Sequence, residues 1–207
     1  MSTPTPTVVS PDEWRQARDE LLIREKKATR ELDAIAAERR RLPMVEVTKP
    51  YAFDTPDGTK SLLDLFDGRD QLLTYQFMDA GPDAICPGCT AFSDNVPPGG
   101  LTALARHGVS WATVTDLPLA QLEPYAASRG WTMPLASSRG TTFAADCGAG
   151  GGFIQTAFLR TGDAIYRTYT TEQRGVDRLL FVHNLIDLTV YGRQEAWEDS
   201  PEGWPQS

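Results

Sequence analysis

A Cys-x-x-Cys motif that directly follows a strand-like run constrains this chain more than any other feature. Cys86 and Cys89 enclose Pro87 and Gly88, and an apolar run precedes them over residues 72–78. Two thiols at this spacing can close a short disulfide or share a metal ion. After a strand, and at the start of a helix, the first sulfur lies near the positive end of the helix dipole, where a thiolate is favoured. The motif therefore predicts thiol–disulfide chemistry, with Cys86 as the nucleophile and Cys89 as the resolving thiol.

The composition limits the partners and the compartment of the protein. The 207 residues carry a formal net charge of −8, which argues against a nucleic-acid surface. No apolar run approaches membrane-spanning length, and the first residues lack the basic and apolar regions of a secretory signal. Three cysteines are too few for a disulfide scaffold. We therefore expect a cytoplasmic protein that binds neither nucleic acid nor membrane.

The order of the predicted elements indicates an α/β chain of the thioredoxin-like fold. After the strand and the dithiol come a helix tail, a strand, a helix, a hairpin and a last helix, at 101–106, 109–114, 117–129, 156–169 and 176–190. Two parallel strands joined by a helix, followed by an antiparallel hairpin and a closing helix, define that fold. Strand candidates at 45–47 and 51–53, a turn at Asp57-Gly58 and a helical piece at 61–66 add a hairpin like the front end of peroxiredoxins.

A long helix is predicted ahead of this domain, over residues 11–41. Ser10 and Glu13 form a capping-box pair, and Pro43 ends the helix. Apolar residues recur every seven positions, at Trp14, Leu21, Ala28, Ile35 and Leu42. The second seam of a coiled coil is largely charged, so we expect this single stripe to pack on the domain or on a second subunit in a homodimer. The predicted division is a helical extension, a thioredoxin-like domain and a tail, at 1–43, 44–195 and 196–207.

Short phrases along the chain carry a resemblance to a known family. They include Glu25-Lys26-Lys27-Ala28-Thr29-Arg30, Tyr75-Gln76-Phe77-Met78, Pro118-Leu119-Ala120, Arg174-Gly175-Val176-Asp177 and Asp187-Leu188-Thr189. Over residues 11–197 the joint pattern resembles the bacterial domain of unknown function 899, which is related to the AhpC/TSA branch of the thioredoxin superfamily. The resemblance implies a thioredoxin-like fold with a paired-cysteine site and no settled activity. The chain departs from it at Gln76, Asp116 and Cys147, where the family usually has His, Arg and an aromatic residue.

Several interpretations of the cysteines stay open. The dithiol could hold zinc together with Cys147, His107 or His183, or it could be an inert relic of the fold. No second Cys-x-x-Cys or His-x-His pair supports zinc, and we predict no bound cofactor. Cys147 is either a small buried apolar residue or a second resolving or sensing thiol.

The loop residues favour a narrow activity. Asp83 stands where a peroxidase needs Thr, and no proline precedes the hairpin at 153–155. We therefore predict a thiol–disulfide oxidoreductase with a narrow substrate. The alternative is a non-catalytic protein that binds a small metabolite or a protein partner. A pocket beside the dithiol is predicted from five residues, although core packing explains them equally well: Tyr75, Phe77, Trp111, Pro134 and Phe143.

Overall fold

The computed structural model describes residues 4–206. They form two compact units, one of them Pro43–Phe181 and the other made of the residues up to Leu42 together with those from Val182 onward. No helix among the described residues combines the length and the apolar content that crossing a bilayer requires. The predicted division at 43/44 and 195/196 stays a prediction.

A mixed sheet of eight strands forms the centre of the unit Pro43–Phe181. Its strands are β1 Val45–Glu46, β2 Ala52–Thr55, β3 Gly58–Ser61, β4 Gln71–Phe77, β5 Val109–Thr115, β6 Leu135–Ser137, β7 Ile154–Thr161 and β8 Ala164–Thr171. Their order across the sheet is β1-β8-β7-β4-β5-β6-β2-β3. At the centre, β4 and β5 are parallel, β7 is antiparallel to β4, and β8 is antiparallel to β7. This is the thioredoxin arrangement, and it confirms the predicted fold.

The helices of the described residues are short except for the first. They are α1 Pro11–Arg39, α2 Pro87–Asp94, α3 Pro98–Arg106, α4 Leu119–Ser128, α5 Phe143–Cys147 and α6 Phe181–Ile186, with 3₁₀ segments at Asp64–Phe66 and Gln173–Leu179. The last helix, predicted as one element over 176–190, is instead a 3₁₀ segment followed by α6. Leu180 separates the two because its backbone is extended, with φ −90° and ψ 106°.

Alternation along the central strands divides the core into two clusters, one on each face of the sheet. On β4, Leu72 faces one side while Tyr75 and Phe77 face the other, as the two-residue period of a strand requires. The first side holds the Phe143 cluster, which includes Tyr51, Phe53, Leu72, Phe143 and Phe158. The second side holds the dithiol cluster, which includes Tyr75, Phe77, Cys86, Cys89 and Phe92.

The front end of the unit differs in two respects from its prediction. The turn before Gly58 joins β2 to β3 in the predicted hairpin, but β3 was not among the strand candidates. The other strand candidate, β1, pairs with β8 at the opposite edge of the sheet. The sequence analysis did not include β6 or α5, which are three and five residues long. Neither is long enough to show a hydrophobic period.

The other unit contains α1, whose start follows the predicted capping box. The Glu13 N–H donates to Ser10 Oγ at 3.3 Å, and the Ser10 N–H donates to Glu13 Oε2 at 2.9 Å. No side chain of α1 is buried in the described residues, and Trp14 and Leu21 of the stripe are 60% and 50% exposed. The burial predicted for the stripe is therefore not seen. Near the C-terminus of the unit, the Tyr191 hydroxyl donates to the Pro4 carbonyl at 3.0 Å.

Candidate dithiol site

Cys86 is the N-cap residue of α2. Its backbone is extended, with φ −60° and ψ 116°, and Pro87 occupies the first helical position, where its fixed φ suits a helix start. The sulfur of Cys86 accepts the N–H of Cys89 at 3.3 Å, as the side-chain oxygen of Ser or Asp does at other helix starts. This hydrogen bond and the helix dipole both stabilise negative charge on the Cys86 sulfur.

Cys89 lies one helical turn further on, in the interior. Its side chain is 0% exposed, against 5% for Cys86, and its sulfur accepts the backbone N–H of Met78 at 3.3 Å. Burial raises the pKa of Cys89 above its ordinary value, and hydrogen bonds from the Tyr75 hydroxyl and the Met78 N–H oppose that rise only in part. Burial also raises the pKa of Tyr75, so its hydroxyl keeps its proton and remains a donor. The Cys86 sulfur therefore accepts a backbone N–H at a helix start, whereas the buried Cys89 sulfur keeps its proton.

Aromatic rings surround the two sulfurs. Tyr75 stacks on Phe92 with ring centroids 3.9 Å apart, and Phe153 approaches Tyr75 at 6.3 Å. Trp111 extends the stack from Phe92 at 6.4 Å. Of the five residues predicted to line a pocket, Tyr75, Phe77 and Trp111 belong to or pack against the dithiol cluster. Their contacts are those of a packed core.

The structure does not bring the other two pocket candidates to the dithiol. Phe143 lies in the Phe143 cluster, on the opposite face of the sheet, and Pro134 is exposed just before β6. Cys147 is on the same face as Phe143. The sheet therefore separates Cys147 from Cys86, which removes its interpretation as a second resolving thiol. No group of three or more metal-ligating side chains is found in the part of the chain that the structure describes.

Two anchors of the dithiol helix were missed by the sequence analysis. At the end of α2, the Asp94 carboxylate accepts the Trp131 Nε1–H at 2.8 Å and pairs with Arg129. The Arg129 guanidinium holds the pKa of Asp94 below its ordinary value. Near the start of α2, the Thr90 hydroxyl lies 3.2 Å from the Tyr125 hydroxyl. Both anchors join α2 to α4 or to the loop after it, and no sequence motif marks such long-range pairs.

Gln155 is a further buried polar group on the dithiol face. It lies directly opposite Tyr75 in the ladder between β4 and β7, and paired residues share a face of the sheet. Its Nε2 donates to the Thr74 carbonyl at 3.1 Å. Its Oε1 has no hydrogen-bond partner among the described residues, so the site contains a buried acceptor that is free to bind a donor.

Comparison with known proteins identifies the family. Residues 3–206 match the family described as bacterial protein of unknown function (DUF899). The chain belongs to the DUF899 family. No curated protein matches it.

Solved structures similar to this DUF899 member include three bacterial proteins. Peroxidoxin BcpB of Mycobacterium tuberculosis is 18% identical, with 67% of this chain and 94% of that chain covered and a TM-score of 0.46. A putative protein disulfide isomerase of Bacteroides thetaiotaomicron is 18% identical, with coverage of 69% and 91% and a TM-score of 0.47. A putative thiol:disulfide interchange protein DsbE of Chlorobium tepidum is 13% identical, with coverage of 67% and 93% and a TM-score of 0.48.

Gln76, one of the departures from the DUF899 pattern, does not lie beside the dithiol. The resemblance implies His at the position of Gln76, one residue after Tyr75. Because side chains alternate along β4, Gln76 points to the face opposite the dithiol, where it is buried. The replacement therefore leaves the surroundings of Cys86 unchanged.

Proposed function

We propose that this DUF899 member is a thiol–disulfide oxidoreductase that uses Cys86 and Cys89 on a narrow range of substrates. The observation that carries the proposal is the difference between the surroundings of the two sulfurs. Cys86 caps the helix and accepts the Cys89 N–H at 3.3 Å, while Cys89 is buried against the Met78 N–H at 3.3 Å. This asymmetry suits an attacking thiol and a resolving thiol.

The exchange proceeds in two steps. The Cys86 thiolate attacks one sulfur of a substrate disulfide, so that the substrate S–S bond breaks, a mixed disulfide forms, and the first substrate thiolate leaves and takes up a proton. Cys89 then loses its proton and attacks the Cys86 sulfur, which releases the second substrate thiolate. Two electrons pass to the substrate, and the protein ends with a Cys86–Cys89 disulfide. A dithiol reductant restores the starting state, and we place the cycle in the reducing cytoplasm.

The burial of both sulfurs supports a narrow range of substrates. Cys86 is 5% exposed and Cys89 0%, so a bulky protein disulfide has little access to the nucleophile. Phe153, which precedes β7 where thioredoxins have a substrate-holding proline, packs against the dithiol cluster. The free Oε1 of Gln155 favours a substrate with an N–H or O–H donor. Asp83, three residues before Cys86, supports neither peroxide activation nor peroxidase turnover.

A redox titration of the full chain, followed by mass, tests the proposal. We expect a defined midpoint at which Cys86 and Cys89 lose two hydrogens together, and we expect the same midpoint in Cys147→Ser. Insulin reduction and hydrogen peroxide consumption should both run far slower than with a dedicated thioredoxin or peroxiredoxin. A dithiol that never forms a disulfide contradicts the redox proposal. Rapid turnover in either assay, abolished by Cys86→Ser, contradicts the narrow range.

A further inference from the structure

A cavity of about 230 Å³ opens on the face of the sheet opposite the dithiol. Its apolar wall consists of five side chains, Val45, Val47, Tyr51, Phe143 and Phe158, and its polar groups include Lys49, Asp146, Cys147 and Arg167. The volume equals that of roughly eight water molecules at about 30 Å³ each. It is smaller than the roughly 300–1,000 Å³ of sites for drug-sized ligands, so the cavity suits a small molecule.

The acidic group at the cavity is already neutralised. The Asp146 carboxylate accepts the Tyr51 hydroxyl at 2.8 Å and pairs with Lys49 at 3.0 Å, and it also accepts the Thr142 hydroxyl. These hydrogen bonds lower the pKa of Asp146 to about 2. The carboxylate and the Lys49 ammonium therefore cancel each other's charge.

Arg167 carries a positive charge that the Asp146 carboxylate does not neutralise. Its Nη1 donates to the main-chain carbonyl of Asp146, and no carboxylate among the described residues pairs with its guanidinium. Glu46 contributes to the wall of the cavity, but it alternates with Val45, which lies opposite Arg167 in the β1–β8 ladder. Alternation directs the Glu46 side chain to the other face. The cavity therefore has one positive charge that no carboxylate among the described residues neutralises, on a guanidinium with five N–H donors.

We propose that this cavity binds a small organic anion, with its carboxylate or phosphate on Arg167 and its apolar body against Val47, Phe143 and Phe158. A planar guanidinium suits bidentate binding of an oxyanion. The aromatic wall then supplies the apolar contacts that a simple inorganic anion cannot use. This site is independent of the dithiol exchange, because the sheet separates the two.

Cys147 lines the cavity, and its sulfur has two polar neighbours. The Cys147 sulfur lies beside the Arg167 guanidinium and the Thr156 hydroxyl, both of which act on its pKa. Thr156 is fully buried, and its hydroxyl has no oxygen or nitrogen partner among the described residues. Cys147 is therefore placed to report on occupancy, since a bound anion blocks the path of a reagent to its sulfur.

Binding of benzoate to the full chain, measured by calorimetry, tests the proposal, with benzamide as the neutral molecule of the same shape. We expect saturable benzoate binding at millimolar concentrations and at least about tenfold weaker binding of benzamide. Arg167→Gln should weaken benzoate binding about tenfold and leave benzamide unchanged, and Arg167→Lys should restore part of the loss. Benzoate should also slow alkylation of Cys147 without affecting Cys86.

Arg106→Gln is the matched control, because it removes one positive charge from an exposed position on α3 outside the cavity. It should bind benzoate as the wild type does. Val45→Trp serves as a second variant should Arg167→Gln fail to fold. Val45 is 55% exposed, so a larger side chain there fills the cavity without disturbing the core and should abolish binding of both molecules. Equal affinity for benzoate and benzamide, unchanged benzoate binding in Arg167→Gln or Val45→Trp, or no saturable binding at all overturns the proposal.

Discussion

The backbone N–H of Met78 donates a hydrogen bond to the sulfur of Cys89 across 3.3 Å. Met78 directly follows β4, so this bond joins the end of the central strand to the dithiol helix. It also gives the buried sulfur a donor that does not depend on solvent. The position of the resolving thiol is therefore fixed by the sheet itself, whereas Cys86 is fixed by the start of α2.

The first prediction concerns the order of alkylation. Iodoacetamide at neutral pH should modify Cys86 before Cys89 and Cys147. Burial raises the pKa of Cys89, and it raises the pKa of Cys147 to about 11, so both keep their protons at that pH. Peptide mass spectrometry over a time course measures the three rates, and faster modification of Cys147 than of Cys86 contradicts the assignment of the nucleophile.

The second prediction concerns the hydroxyl of Tyr75. Tyr75→Phe should slow the resolution of a mixed disulfide about tenfold or more, because a hydrogen bond to a charged group contributes about 1.5–3 kcal/mol. The hydroxyl lowers the pKa of Cys89, so its removal makes the attacking thiolate harder to form. Stopped-flow measurement with a chromogenic disulfide follows this step.

Tyr125→Phe is the matched control for that measurement. It removes a hydroxyl that lies 3.2 Å from the Thr90 hydroxyl in the same region and that makes no bond to either sulfur. Its resolution rate should equal that of the wild type. If both variants slow the step equally, the effect comes from packing and not from the hydrogen bond to Cys89.

The third prediction concerns stability at alkaline pH. Burial raises the pKa of Cys147 from 9.0 to about 11. Between these values the unfolded chain loses this proton while the folded chain keeps it, so stability falls as pH rises. Relative to Cys147→Ala, the free energy of unfolding of the wild type should fall by about 1.4 kcal/mol per pH unit in this window.

Urea unfolding under reducing conditions at several pH values measures that slope. The comparison with Cys147→Ala cancels the contributions of other titrating groups, including Cys89 and Tyr75. Below pH 9.0, the ordinary pKa of the thiol, the difference between the two proteins should be constant. Parallel curves throughout the alkaline range contradict the raised pKa of Cys147.

The fourth prediction concerns the exposed apolar stripe of α1. Most of the stability of an amphipathic helix in a protein comes from packing of its apolar face. Ile35 of the stripe is 40% exposed, so it is available for such a contact. We expect the protein to dimerise through α1, and we expect Ile35→Glu to shift the mass measured by light scattering toward the monomer. Lys26→Gln changes the charge by the same amount, and Lys26 lies about 180° around α1 from Ile35, so this variant should leave the mass unchanged. A wild type that is monomeric at every concentration contradicts this prediction.

Local patterns were sufficient for much of the fold. The apolar run before Cys86, the turn at Gly58 and the hairpin around Gly162 each depend on neighbouring residues, so strand and turn preferences identified β4, β2 with the turn after it, and the β7–β8 hairpin. β3 was not predicted. The capping box of Ser10 and Glu13 is equally local, and α1 begins where it predicts. The 3₁₀ segment before α6 was not predicted. The apolar spacing of residues 176–190 is that of one continuous helix and gives no sign of the extended backbone at Leu180.

The sequence by itself determined the family, the thioredoxin-like fold and the two-residue spacing of Cys86 and Cys89, because each is encoded in patterns along the chain. Only the tertiary structure decided which residues share a site. Phe143 and Cys147 lie across the sheet from the dithiol, and Arg167 lies at a cavity with Lys49 and Asp146. The reason is physical: a strand directs successive side chains to opposite faces, and the face that each residue occupies depends on the register between strands that are distant in sequence.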